Sequence, residues 1–320
     1  QNRIITNRNQ RAISVSQTTA MNLLPSQFKR LTVSNLKGSS LRTRAPFIIT
    51  LILLISACSF KTLYNRLDYM IPSYVEGMVT LDDVLEEKVK QRAEGLLSWH
   101  RNTQLVQYAD LLRTFQQDIE SPLDRQRVLQ HIATMRQLWE SLENEINDEM
   151  AELLPLLNAE QREELFDSIE DKNEDFYEEY VDIDDDERIE QFTDTTVDNF
   201  ESWLGYLTTA QETAIEQAMP GLANSAALRL QQRRLWQSSI RQILDSTDSK
   251  EIKTDRLRQF FDGFSMDNQP QLAAASDKNI KIYAQLTADI VNQATTEQKT
   301  FFINKTDEYI RIFTELSENR

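Results

Sequence analysis

VLQHIATMRQLWESLENEI, residues 128–146, decides the fold class. Its apolar residues Val128, Ile132, Met135, Trp139, Leu142 and Ile146 follow one another in steps of four and three, and the repeat continues loosely to Met150 and Leu153. That spacing predicts one long helix with a seam that packs against a partner at a shallow angle; a strand would need alternation in twos. Ser121-Pro122 is expected to open the helix, serine as the N-cap and proline in the first turn, where its missing N–H costs nothing. Trp139, in the middle of the stripe, is expected in the core, where truncation to alanine costs ~3–5 kcal/mol. Upstream, Leu105, Tyr108, Leu112, Phe115 and Ile119 form a similar stripe. Only a few residues separate the two stripes, so the pair reads as an antiparallel helical hairpin.

Downstream the same reading gives helices at 158–180, 187–206, 208–219, 222–244, 249–264, 269–292 and 295–316. Breaks fall at Pro155, Pro220-Gly221, Gly263 and Pro270, residues that end a helix or cannot continue one. Six glycines and seven prolines in 320 residues leave too few turn formers for a sheet-rich chain. The expected fold class is all-α, an elongated multi-helix bundle of long antiparallel hairpins over residues 81–320, either one bundle or two sub-bundles meeting near Asp182.

The start of the chain has a different chemistry. An apolar run over residues 45–57 follows Arg42 and Arg44 and ends in Ile55-Ser56-Ala57-Cys58, which contains the chain's single cysteine. The run is too short for a spanning helix, which needs about 20 apolar residues, and it suits the h-region of a signal peptide. The last four residues read as a lipobox, with cleavage between Ala57 and Cys58 and acylation of Cys58. Residues 41–57 are then a lipoprotein signal peptide, and residues 1–40, which have no periodic apolar face, are disordered or lie upstream of the true start. Residues 58–80 form a membrane-proximal segment that either lies on the membrane surface or packs under the first helix. The resemblance to bacterial lipoproteins, in which aspartate at this position marks retention in the inner membrane, implies with Ser59 an outer-membrane location, facing the periplasm.

Eight cations and no anion precede Cys58, so cleavage takes the net charge from −16 to −24. A surface that acidic repels phosphate backbones and anionic headgroups, which excludes nucleic acid as a partner and leaves membrane attachment to the lipid. With no second cysteine, the domain is held by its core alone.

Three helix starts share one cap: Leu157-Asn158-Ala159-Glu160-Gln161, Leu207-Thr208-Thr209-Ala210-Gln211 and Ala294-Thr295-Thr296-Glu297-Gln298. In each, Asn or Thr caps the helix and the glutamine reaches back to the cap's own N–H, a capping box worth ~1 kcal/mol. Glutamate also serves in such a box, so Gln161→Glu and Gln211→Glu are expected to preserve stability. The pattern resembles the L-T-x-x-Q motif of periplasmic stress proteins that chaperone or sense misfolded envelope proteins; Leu207, Thr208 and Gln211 match it in full, while Asn158 replaces threonine in the copy with Leu157 and Gln161. A longer resemblance rests on residues 67–75 (LDYMIPSYV), on Trp99-His100-Arg101 with residues 104–108 (QLVQY), and on Arg234-Leu235-Trp236-Gln237. These are similar to DUF6279, a proteobacterial family of uncharacterised helical lipoproteins, and the resemblance implies a lipid-anchored, all-helical periplasmic protein. Where that family has a further such start, this chain has Leu81-Asp82-Asp83-Val84-Leu85, with leucine in place of glutamine.

No reactive constellation emerges. His100 and His131 lack a second ligand at helical metal spacing, and the alternating aspartates from Asp182 to Asp186 lack both the glycine and the closing glutamate of a calcium loop. No nucleophile elbow or S-x-x-K motif is present, so neither catalysis, a metal nor a cofactor is expected. Trp99, Tyr108, Trp139, Trp203 and Trp236 fall on helix seams. Trp99, His100 and Tyr108 join the capping motifs as candidate partner-binding residues. The function these observations favour is binding of envelope proteins, chaperone-like or stress-related, with a structural or assembly lipoprotein serving one dedicated partner as the alternative.

Overall fold

The computed structural model describes residues 60–264 and 269–318, which are helical with short connections and contain no strand. The lipobox residues Ile55, Ser56, Ala57 and Cys58 lie outside the described residues. The chain divides after Gly77 into two compact units. The first contains α1, Leu67–Glu76, in which Pro72 removes one backbone bond and no residue is buried.

The second unit, from Met78, holds α2 (Asp83–Asp118), α3 (Arg125–Leu153), α4 (Ala159–Tyr180), α5 (Asp185–Leu204), α6 (Thr209–Ala218), α7 (Ala226–Asp245), α8 (Lys250–Gly263), α9 (Pro270–Asn292) and α10 (Thr296–Glu318). Short 3₁₀ turns at Leu154–Leu156 and Met219–Gly221, each built on a proline, separate α3 from α4 and α6 from α7. Side chains mark most helix starts. Asp82, Asp124, Asn158, Asp184, Thr208 and Ser249 each accept the backbone N–H three residues on. The start of α3 is therefore corrected: Asp124, not Ser121, is its N-cap, and Pro122 lies before the helix. The reason is a clasp by Asn292 at the end of α9, which accepts from Leu123 N at 2.8 Å and donates to Leu123 O at 2.7 Å, holding that corner in a non-helical path. Asn279 clasps Ala223 in the same way.

The antiparallel α2–α3 hairpin forms as the short connection between the two stripes requires. Arg127 to Asp118 (2.8 Å), Gln104 to Ser141 (3.1 Å) and Arg92 to Glu149 (3.2 Å) fix its antiparallel register. α2 lies along α10, and α3 packs on α9, α8 and α2. Two clusters make up part of the core. One joins Ala151 and Phe166 to Ile240, Ile243, Leu244, Leu257 and Phe261; the other joins Leu204 and Leu207 to Ile215, Met219, Leu222, Leu286 and Ile290.

Helix α3 is covered at both ends and open between them. Val128, with Ile132 beside it, packs on Ala284 and Ala288 of α9, while Met150 and Leu154 join the first cluster. In the middle Met135 is 44 % and Trp139 57 % exposed. The core position expected for Trp139 is thus overturned; the buried residues on this stretch are His131 and Leu138, on the side that faces the chain's own interior. Trp139→Ala should accordingly cost less than about 1 kcal/mol in a denaturant melt, against about 2–4 kcal/mol for Leu138→Ala. Equal losses would refute this assignment of faces.

Candidate functional site

The three capping motifs do more than start helices. Around Asn158, the Gln161 N–H donates to Asn158 Oδ1 and the Asn158 N–H to Gln161 Oε1, both at 3.0 Å; Thr208 with Gln211 and Thr295 with Gln298 make the same reciprocal pair. The glutamines are buried, Gln211 and Gln298 completely. Their amide nitrogens point away from their own helices and bind elsewhere.

Gln211 Nε2 donates to Ile290 O at 3.1 Å and to Gln298 Oε1 at 3.2 Å; Gln298 Nε2 donates to Tyr206 O at 2.7 Å and to Gln211 Oε1 at 2.8 Å. Each Oε1 thus takes its own cap's N–H and the partner amide, and each NH₂ spends both protons, so both amides use their donor and acceptor capacity in full. The starts of α6 and α10 are locked face to face. Gln161 Nε2 instead donates to Thr80 O at 2.9 Å, at the start of α2, where Glu164 also receives the Thr80 N–H and hydroxyl. These two bonds draw the Glu164 carboxyl below the usual carboxylate range. Here the fourth start answers without a glutamine: Asp82 caps α2 and Leu85, in the glutamine's place, is buried. The starts thus work in pairs, α2 with α4 and α6 with α10. Sequence spacing does not reveal the pairing, although the leucines before two of the caps, Leu157 and Leu207, gave a sign of it, since both are buried. A side chain spent on these bonds presents nothing to a partner.

The other candidate cluster is a file of rings. Trp99 and His100 (6.4 Å between centroids), His100 and Tyr108 (5.6 Å), Tyr108 and Phe313 (6.0 Å), Phe313 and Tyr309 (5.9 Å), and Tyr309 and Trp203 (5.9 Å) connect α2 through α10 to α5. All but Trp203 are half-buried. Burial lowers the His100 pKa to about 4, so the ring is neutral at pH 7, and it raises those of Tyr108 and Tyr309. Lys305 lies 5.1 Å over the Trp203 ring and donates to Ser202 O. The file packs helices together, edge-on around Tyr108 and tilted elsewhere. Trp236 stacks on Phe261, at 5.9 Å between centroids.

The remaining sequence candidates have structural tasks. His131 bonds Asp118, which also holds Arg127, and stands edge-on to Phe115. Asp184 caps α5. A groove beside Asp82, Asp83, Lys88, Leu156 and Lys250 brings two carboxylates near one another, but Asp82 is committed to its cap. Among the described residues no three His, Cys, Asp or Glu side chains gather where they would hold a metal ion, and no helix is long and apolar enough to cross a membrane.

Among the described residues, one surface that stays open to a partner is the apolar face at the middle of α3. Met135 and Trp139 form it, one helical turn apart on α3, with Leu142 and Ile146 half-buried at its end. Sequence reasoning found these residues and misplaced them.

Residues 78–263 match one family along a continuous span. The chain belongs to DUF6279, a family of unknown function. The DUF6279 span ends on the last residue of α8, so Gln211 lies inside it while its partner Gln298, with α9 and α10, lies beyond. No curated protein and no solved structure matches the chain.

Proposed function

We propose that this member of DUF6279 is an outer-membrane lipoprotein, anchored through Cys58 and facing the periplasm, that acts by binding protein rather than by catalysis. One observation carries the binding half: the four-and-three stripe of α3 continues through Met135 and Trp139, where no helix among the described residues covers it. Exposed aromatic and methionine side chains on a rigid helix are the kind of residues that anchor interfaces. The anchor half rests on the lipobox and the short apolar run before it.

Of the two binding roles, the dedicated-partner role is the better supported. The L-T-x-x-Q likeness that pointed to chaperoning belongs to glutamines spent on the helix caps and their cross-links. Crosslinking from native envelopes is expected to yield one stoichiometric species, diminished by Trp139→Ala; protection of several unrelated reduced clients from aggregation would favour the chaperone-like role instead. For the anchor, intact-mass analysis of the membrane-extracted protein should find Cys58 at the N-terminus with diacylglycerol and an amide-linked chain, and Cys58→Ala should leave the precursor uncut. Cleavage after Ala57 in that variant, with membrane attachment intact, would sink the assignment.

A further inference from the structure

We infer that the groove between α4 and α7 docks a cationic amphipathic helix of a protein partner, which extends the protein-binding reading above to a second surface. The two helices run antiparallel, joined by Arg241 to Glu163, Arg234 to Glu170, and Asn173 to Gln237 at 2.8 Å. Past Asn173 no side-chain hydrogen bond or ion pair joins them among the described residues. There a groove opens, lined by Tyr177 and Val181 on one side and by Ala227, Leu230 and Leu235 on the other. Tyr177 is 43 % and Leu235 50 % exposed. Of Arg234-Leu235-Trp236-Gln237, the first, third and fourth residues hold Glu170, Phe261 and Asn173, while Leu235 is left facing the groove. Apolar ridges at helical spacing on two neighbouring helices are the surface into which the side chains of a third helix interdigitate.

The rims set the partner's charge. At 3.6 residues per turn, Glu174 and Glu178 stand ~60° and ~100° round α4 from Tyr177, on the side of Val181 and away from buried Asn173. Both are exposed, and neither is paired with a cation among the described residues. Residues 171–187 contain ten carboxylates against one lysine, so the α4 rim continues acidic into the next turn of chain. The rim on α7 is neutral, with Gln231 and Ser238 exposed. Its arginines are engaged nearby: Arg233 lies 5.0 Å over the Phe176 ring, and Arg234 holds Glu170. A helix that fits both rims has apolar residues in steps of four and three, and lysines or arginines along the one flank that meets α4.

The test titrates a fluorescein-labelled synthetic helix of that pattern, leucines on one face and lysines on one flank, against the full chain extracted from membranes in detergent. A copy with glutamate for lysine is the control. The lysine peptide is expected to bind, more weakly as salt rises, and the glutamate peptide not to bind. Glu174→Lys with Glu178→Lys should weaken the lysine peptide about tenfold, while the same charge change on α2, Glu86→Lys with Glu94→Lys, should leave it within about twofold. Leu235→Ser should also weaken it, and circular dichroism melts of each variant keep a folding defect apart from a lost site. Equal losses from the two charge reversals, unchanged binding to Leu235→Ser, or no binding at all overturns the proposal. A loss at Trp139→Ala in place of the groove variants overturns this groove and leaves binding at α3 standing. With p-benzoylphenylalanine at position 235 in producing cells, the crosslinked peptide is expected to be a lysine- or arginine-flanked helix of another protein; a crosslink to a second copy or to the chain's own residues, or none, overturns it.

Discussion

Gln211→Glu is expected to cost ~3–5 kcal/mol at pH 7, although either residue completes an ordinary capping box. The substitution removes two donors, leaves Ile290 O and Gln298 Oε1 without theirs, and puts a carboxylate among oxygens in a fully buried place. Gln161→Glu should cost less, because Gln161 gives up one cross-link, to Thr80 O. Gln217→Glu, on the exposed face of α6, should stay within about 0.5 kcal/mol. Acid should partly rescue the 211 variant. Burial holds the new carboxyl's folded pKa above its unfolded value near ~4.3, so the folded state binds the extra proton. The penalty therefore shrinks as pH falls toward that value and grows as pH rises through the window above it. Urea melts at pH 7 and pH 4.5 measure both effects; a loss below 1 kcal/mol at pH 7 would mean that the amides only cap.

The second large loss is expected at Leu257→Ala, about 3–5 kcal/mol. Leu257 is fully buried where α8 meets α3, α4 and α7, beside Leu244 and Phe261. Those neighbours are held by their own helices and cannot all close on the space left. Trp236, half-buried against Phe261, provides a fluorescence signal for the melt. A loss no larger than that of Trp139→Ala would mean that this cluster is not a core.

The contrast between Leu257 and Trp139 shows where sequence reasoning works. Helix limits were legible because the caps are local: an aspartate, asparagine, threonine or serine before most helices, a proline or glycine after some of them, and bonds that span three residues. The start of α3 failed because a distant residue, Asn292, holds the corner that Ser121-Pro122 would have turned into a helix. The four-and-three repeat correctly identified an apolar stripe on α3, yet periodicity carries no information on what covers it. Cover comes from α9 at one end and α8 at the other, residues more than a hundred positions away. For the same reason the capping boxes could be read from five-residue words, while the pairing of Gln211 with Gln298, 87 residues apart, could not.

The paired amides also bear on how the molecule ages. Hydrolytic deamidation of Gln211 or Gln298 would install the carboxylate that the substitution does, and amide side chains are among the chemically labile ones in proteins. Complete burial and four committed hydrogen-bonding positions withhold water and base from those two amide carbons while the fold is closed. The damage is therefore confined to molecules that have already opened. One such event would carry the penalty of the substitution into refolding, so a chain that deamidates while unfolded would close with a less stable lock between the starts of α6 and α10.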